Sequence, residues 1–310
     1  MINNLINQQE PINTIGAYLK KYFGQKTIKL SLEGGFTCPN RDGSKGTGGC
    51  IFCSADGSGD FASDIDGQIK LLSDKWPNSK HLAYFQSYSN TYAPVKELRE
   101  TYDSVLKNPE ISGIAIATRP DCITEETYEL LSEINQKTFL WVELGLQTAH
   151  DRTADLINRC YTLDVYDEAI QRLSERNIRT VVHLILGLPG ETKEEMLHSV
   201  RYVCQDNIFG IKLHLLNVVR GSQMEKNYPD YVPFNSMEEY ISLVVDALEI
   251  IPPEITIHRM TADAPRPILI SPEWSFQKRS ILNGIHRELK NRGTWQGKKA
   301  REKQPASDRF

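Results

Sequence analysis

No apolar run in this chain of 310 residues reaches the roughly 18 residues that a membrane-spanning helix needs, so no transmembrane segment is expected. Residues 1–10 are polar and lack the apolar core of a signal peptide. Both absences point to a cytoplasmic protein whose thiols stay reduced. No repeat with a period of 20 to 50 residues is visible and no stretch is low in complexity, which excludes solenoids and linker-rich chains. The glycine-rich stretch 43–49 holds Lys45 but lacks the Gly-Lys-Ser/Thr ending of a phosphate-binding loop. Its glycines suit a backbone that wraps closely around something bulky.

What remains is ordinary in bulk and uneven in detail. Hydrophobic residues make up 40% and charged residues 25%, the balance of a soluble globular protein long enough for one barrel or two medium domains. The net charge of −4 hides an asymmetry. Residues 278–303 carry nine basic side chains against two acidic ones, a net of +7, which leaves −11 for residues 1–277. A solvated helix with a frayed end is the plain reading. A patch for nucleic-acid phosphates is the sharper one, with His286 and Trp295 available for stacking on bases.

Apolar segments alternate in type along the chain. Strands are expected at 27–32, 81–86, 113–117, 139–146, 178–186 and 211–218, with helices at 11–23, 95–106, 125–134, 153–158, 165–175 and 191–203. Six near-continuous apolar strands separated by helices imply a parallel sheet covered on both faces, as a complete or partial barrel or an open doubly wound sheet. The alternation weakens after Gly221, where a helix at 237–250, a strand at 255–258 and a basic helix at 277–292 read as an extension. The expected division is a helical lead at 1–26, the β/α body at 27–220 and an α-rich extension with a basic tail at 221–310. Polar residues gather at the C-terminal strand ends, among them Gln86, Arg119, Glu143, Gln147 and the turn Gly187–Thr192. That edge carries the ligand in barrels and open sheets alike.

Cys38, Cys50 and Cys53 lie on one loop after the first strand, with spacing Cys-x11-Cys-x2-Cys. Structural zinc wants four ligands, usually in two close pairs, and a redox pair of Cys50 and Cys53 leaves Cys38 unexplained. An iron–sulfur cubane uses all three and keeps one iron open for another ligand. Cys122, Cys160 and Cys204 are far apart and read as small buried or half-buried side chains. Glu143 stands alone in a very apolar strand, which is costly without a partner. It is expected either to hold a polar or cationic ligand group or to pair with a base such as Arg119. His183 and His214 read as satisfied core histidines, and Arg259 as structural or functional with equal weight. The Gly187–Gly190 turn is either a plain strand-to-helix turn or a backbone surface against adenine.

The cysteine loop, with Tyr84 to Pro94, Glu143 to Thr148 and Leu186 to Thr192, resembles the radical SAM enzymes, and specifically the YhcC/YtqA subgroup related to Elongator's catalytic subunit. The similarity spans about residues 15–298 and departs from the commoner Cys-x3-Cys-x2-Cys in its first gap. It implies a partial (β/α)6 barrel of TIM type with a short N-terminal helix and an α-rich C-terminal extension. It also implies a [4Fe–4S] cluster on Cys38, Cys50 and Cys53, with S-adenosylmethionine (SAM) on the open iron. Gln86, Glu143 and Gln147 would face SAM, and Gly187 and Gly190 would lie near its adenine. A flavodoxin or ferredoxin would supply the electron that turns SAM into methionine and a 5′-deoxyadenosyl radical. The MnmL-like branch of this subgroup implies tRNA as substrate. The wobble-uridine side chain would pass from carboxymethylaminomethyl toward aminomethyl and methylaminomethyl, with the basic segment 278–303 on the anticodon stem. A second cysteine triad and an RNA-binding β-domain are lacking, against a methylthiotransferase, and there is no room for an acetyltransferase domain. A radical enzyme for a small metabolite and a zinc-stabilised binding module are the competing readings.

Overall fold

The computed structural model describes residues 6, 10–54, 62–73, 75–262 and 264–300. Arg301 and Lys303 of the basic tail lie outside them. The order of elements is α1 (Ile15–Phe23), β1 (Thr27–Leu32), α2 (Ile65–Ser73), β2 (Lys80–Phe85), α3 (Val95–Leu106), β3 (Ile111–Thr118), α4 (Glu125–Lys137), β4 (Phe139–Gln147), α5 (Asp151–Leu156), α6 (Leu163–Glu175), β5 (Arg179–Leu186) and α7 (Lys193–Val203). Then come β6 (Gly210–Leu215), β7 (Val218–Val219), α8 (Gln223–Asn227), α9 (Met237–Ile250), β8 (Thr256–Arg259), β9 (Leu269–Ser271) and α10 (Lys278–Asn291).

Seven strands form one all-parallel sheet in the order β1-β2-β3-β4-β5-β6-β8, a curled part-barrel. That is one strand more than the sequence suggested. The strand expected in the extension, now β8, adds to β6 at the sheet edge. The run expected as one strand at 211–218 breaks after Leu215, and β7 instead pairs antiparallel with β9 beyond the rim.

Alternation along each strand sorts the side chains into two cores. Outward residues such as Leu30, Ile114, Ile116, Val142, Leu144 and Val182 pack under the covering helices. Inward residues Leu82, Ala115, Phe139, Trp141 and Val181 fill the lower lumen, where Leu19 of α1 closes the end of the barrel. Helix α1 starts where Thr14 Oγ1 accepts from the Ala17 amide and stops at Gly24, whose φ of 74° only glycine adopts without strain. Helix α7 opens with the full reciprocal cap between Thr192 and Glu195. Among the described residues no helix is long and apolar enough to cross a membrane.

Candidate functional site

The loop leaving β1 is shaped by its own backbone. Cys38 O accepts from the Arg41 and Asp42 amides, and the Cys53 amide donates to Cys50 O at 3.0 Å, which closes the Cys-x2-Cys turn. Gly48 and Gly49 sit at φ 80° and 76°, a left-handed bend directly before Cys50. The Ile51 amide then donates to Ile157 O and the Met224 amide to Ile51 O, so the loop is stitched to α5 and α8.

These bends bring Cys38, Cys50 and Cys53 to the mouth of one cavity of about 240 Å³ at the C-terminal ends of the strands. Gln86, Glu143 and Gln147 line the same cavity. Gly187 and Gly190 are not among its lining residues. Instead the Gly187 carbonyl accepts from Tyr231 Oη at 2.9 Å, and a Cβ on Gly187 would stand 2.7 Å from the Phe234 ring. Gln147 has φ 71°, and its neighbour Gly145 leaves the space its side chain folds into.

All six cysteines are free thiols, with Cys122 buried and Cys160 and Cys204 half-buried. The Cys50 thiol is pushed well up in pKa by its hydrogen bond with Cys53 and by burial, while Arg119 and Asn40 pull it down. Arg119, 7% exposed, forks onto both oxygens of Asp121 at 2.9 Å and donates to Arg159 O. Arg119 therefore pairs with Asp121 and not with Glu143. Among the described residues no three His, Cys, Asp or Glu side chains converge on a point that would hold one metal ion. A cubane spreads its three thiolates over three separate irons, so three thiols around one mouth, with a buried guanidinium nearby, suit it.

Below the thiols lies a buried polar layer. Glu143 is fully buried, and its Oε2 accepts from Tyr84 Oη at 2.7 Å, His183 Nε2 at 2.8 Å and Lys212 Nζ at 2.5 Å. Its Oε1 accepts from Trp141 Nε1 at 2.8 Å, and Lys212 also reaches Tyr84 Oη at 2.8 Å. Burial alone would raise the carboxyl, but Lys212, His183 and Lys29 hold it well below the usual carboxylate range. Burial and the Lys212 charge push His183 down to about 4, so it is neutral at pH 7 and donates a hydrogen bond from its Nε2–H to Glu143. Burial likewise pulls Lys212 down, against the attraction of Glu143. His183 is thus satisfied, as expected. His214 is not, because its buried Nε2 has no hydrogen-bond partner. Its ring stands 5.0 Å from that of His183. Arg259, at the end of β8, also lines the cavity.

Sequence reasoning missed Lys29, Tyr84, Arg159 and Lys212. Lys212 carried the same signal as Glu143, a charge inside the apolar strand Ile-Lys-Leu-His-Leu. The backbone leading to the basic stretch and the far end of that stretch lie apart. The backbone before α10 lies at the cavity mouth, where Ala264, Pro265 and Ile268 line it. The far end meets the closed floor, where the Gln296 amide donates to Pro11 O and Lys299 pairs with Glu249 at 2.5 Å. Trp295, half-buried, lies at that floor end with Lys298 5.1 Å from its ring.

The family model of the Radical SAM superfamily matches residues 40–203, and that of the Radical SAM C-terminal domain matches residues 208–291. The chain is 44% identical over 301 residues to the uncharacterized protein YtqA of Bacillus subtilis, covering 94% of each. It is 36% identical over 294 residues to YhcC of Escherichia coli, covering 92% of this chain and 94% of the other. A tRNA uridine(34) acetyltransferase of Dehalococcoides mccartyi is 29% identical over 185 residues, 58% of this chain and 39% of that protein. The solved structure of the archaeal Elp3 of Methanocaldococcus infernus shares the fold, with a TM-score of 0.65 at 15% identity over 87% of this chain and 64% of that one. The chain belongs to the radical SAM superfamily, in its YhcC/YtqA, Elongator-like subgroup, whose members bind a [4Fe–4S] cluster and SAM.

Proposed function

We propose that this enzyme remodels the C5 side chain of the wobble uridine of tRNA, from carboxymethylaminomethyl toward aminomethyl and methylaminomethyl, in the cytoplasm. Cys38, Cys50 and Cys53 would hold the cluster, which with SAM supplies the radical that takes a hydrogen beside the side-chain nitrogen. Gln86 and Gln147 would offer amides to SAM at the rim, and the Glu143–Lys212–Tyr84–His183 layer would form the polar floor beneath it. A flavodoxin or ferredoxin would deliver the electron.

The observation that carries the tRNA reading is a basic and aromatic lip at the cavity mouth. The Arg266 guanidinium stands 4.5 Å from the ring of Phe276, which is 41% exposed. Arg220 is exposed as well, and its amide is tied to Ile268 O at 2.7 Å, beside the cavity lining. An exposed ring with arginines around it stacks on an unpaired base and neutralises phosphates, which is what an anticodon loop presents. The relative named for uridine 34 of tRNA supports the same substrate. Lys298 and Lys299, on the floor side, would reach only the stem.

Nucleoside profiling of tRNA from a deletion strain tests this directly. Carboxymethylaminomethyluridine should accumulate while methylaminomethyluridine falls. An unchanged profile would turn the site toward a small metabolite. In a binding assay, Arg266→Gln with Phe276→Ala should weaken tRNA by about 1–3 kcal/mol and lower the salt slope by about one. Lys298→Ala with Lys299→Ala should change it less. No loss from Arg266→Gln with Phe276→Ala would remove the lip from the interface.

A further inference from the structure

We propose that Asn40 tunes the cluster, its side-chain amide donating an N–H···S hydrogen bond to the Cys50 sulfur and raising the reduction potential. The proposal rests on Cys50 being a cluster ligand and goes beyond it, because Asn40 binds no iron.

Asn40 is fully buried, two residues after Cys38. Its Nδ2 lies 3.6 Å from Cys50 Sγ and also donates to Asn158 O. Its Oδ1 lies 3.2 Å from Cys160 Sγ, whose one S–H is shared with Asn158 Oδ1 at the same distance. A donor on the oxygen side and acceptors on the nitrogen side leave the amide one orientation, with N–H toward Cys50.

The surroundings are built around that orientation. Asn158 Nδ2 donates to Thr47 O at 3.2 Å and Gly49 O at 2.8 Å, bracing the backbone that delivers Cys50. The Gly49 amide in turn donates to Asn40 O at 2.7 Å. Asn158 and Cys160 both take left-handed backbone conformations, φ 56° and 62°, which non-glycine residues rarely adopt. A side chain at position 46 is excluded as well, since a Cβ there would stand 2.2 Å from Asn40 Oδ1 and 2.9 Å from Cys160 Sγ. Two strained residues and one emptied position thus converge on a single amide group.

The electrical consequence follows from where an added electron goes. Reduction puts negative charge on the irons and their sulfurs, so a hydrogen bond to a ligand sulfur is stronger in the reduced form. That difference favours reduction, and hydrogen bonds to sulfur are among the settings of cluster potential. Asn40 is therefore a positioning residue. Asn158 O, which can only accept, keeps the amide nitrogen on the Cys50 side.

The test uses the full chain, reconstituted anaerobically, with iron and sulfide counted per chain and the cluster titrated by EPR without SAM. Asn40→Ala should load fully and show a more negative midpoint. The expected change is roughly tenfold in the reduced-to-oxidised ratio at fixed potential, about 59 mV for one electron. Cys160→Ser keeps an O–H donor to the amide oxygen and should stay at the wild-type potential. A fully loaded Asn40→Ala protein at the wild-type potential would overturn the proposal. If that variant loads no cluster, wild-type protein carrying 15N in its asparagine side chains decides, because pulsed EPR should detect an amide nitrogen coupled to the reduced cluster. No such coupling overturns the proposal while the ligand assignment stands. A wild-type chain that takes up no iron and sulfide overturns the ligand assignment, and the proposal with it.

Discussion

The two ends of the lumen are made from the same strands and have opposite characters. At the floor, Phe139 and Trp141 meet Phe23 and Phe209 in edge-on and tilted ring contacts under α1. At the mouth, thiols, amides and guanidinium groups face an open cavity. The change happens within two residues of one strand, since Trp141 donates its indole N–H directly to Glu143. Tyr84 spans the same boundary, its ring in the apolar cluster and its hydroxyl on the carboxylate. Depth along the barrel therefore decides whether a lumen residue packs or does chemistry. The polar layer is affordable only because the floor beneath it is sealed and every oxygen of Glu143 is satisfied.

Removing the boundary carboxylate should break this contrast most severely. Glu143→Leu strands Lys212 in the lumen and is expected to cost about 3–5 kcal/mol in denaturant melts. Adding Lys212→Met should return part of that loss. If the single and double variants are equally destabilised, the pair does not carry the layer.

Acid should sharpen the contrast next. His183 in the folded chain takes a proton only near pH 4, whereas the unfolded chain takes it near 6.5. Between those values the unfolded state binds more protons, so stability falls as pH falls, by on the order of 3 kcal/mol across the window. Glu143, also lowered, adds a further loss at more acidic pH. Buried His214 and His258 are lowered in the same direction and add to the slope, so thermal melts of His183→Gln should show it reduced rather than abolished. A wild-type melting temperature constant from pH 7 to 4.5 would contradict it.

The smallest expected effect lies at the floor. Thr14→Ala removes the cap of α1 and should cost about 1 kcal/mol. Iron content after reconstitution should not change, because the cap is at the other end of the lumen. A parallel loss of iron would mean that the two ends are coupled.

Much of the barrel was legible because strands buried on both faces read as plain apolar runs. The bounds of β1, α3 and α9 follow the sequence pattern residue for residue. Helix α2 was not seen, for it is short and carries glycine in its first turn, where the Asp64 carboxylate just ahead of it accepts from the Gly67 amide. The place of β8 in the sheet was not legible either, since a four-residue strand says nothing of which neighbour it joins. The three thiols could be grouped from spacing because one short loop holds them. Glu143 drew notice as a lone charge, yet its partner Lys212 lies 69 residues further along, a pairing that only the curl of the sheet creates. Asn40 sits in the cysteine loop but drew no role of its own from the sequence. Its meaning comes from Asn158 and Cys160, more than a hundred residues away.

The sheet runs from β1 to β8 without a ladder between those two margins among the described residues. Each margin is instead blunted by a single bridge, Leu32 with Ser63 on one side and Ile257 with Thr14 on the other. A closed ring of strands has a diameter set by its hydrogen bonds, but this one has a seam. Its aperture can therefore widen or narrow without breaking any main-chain ladder.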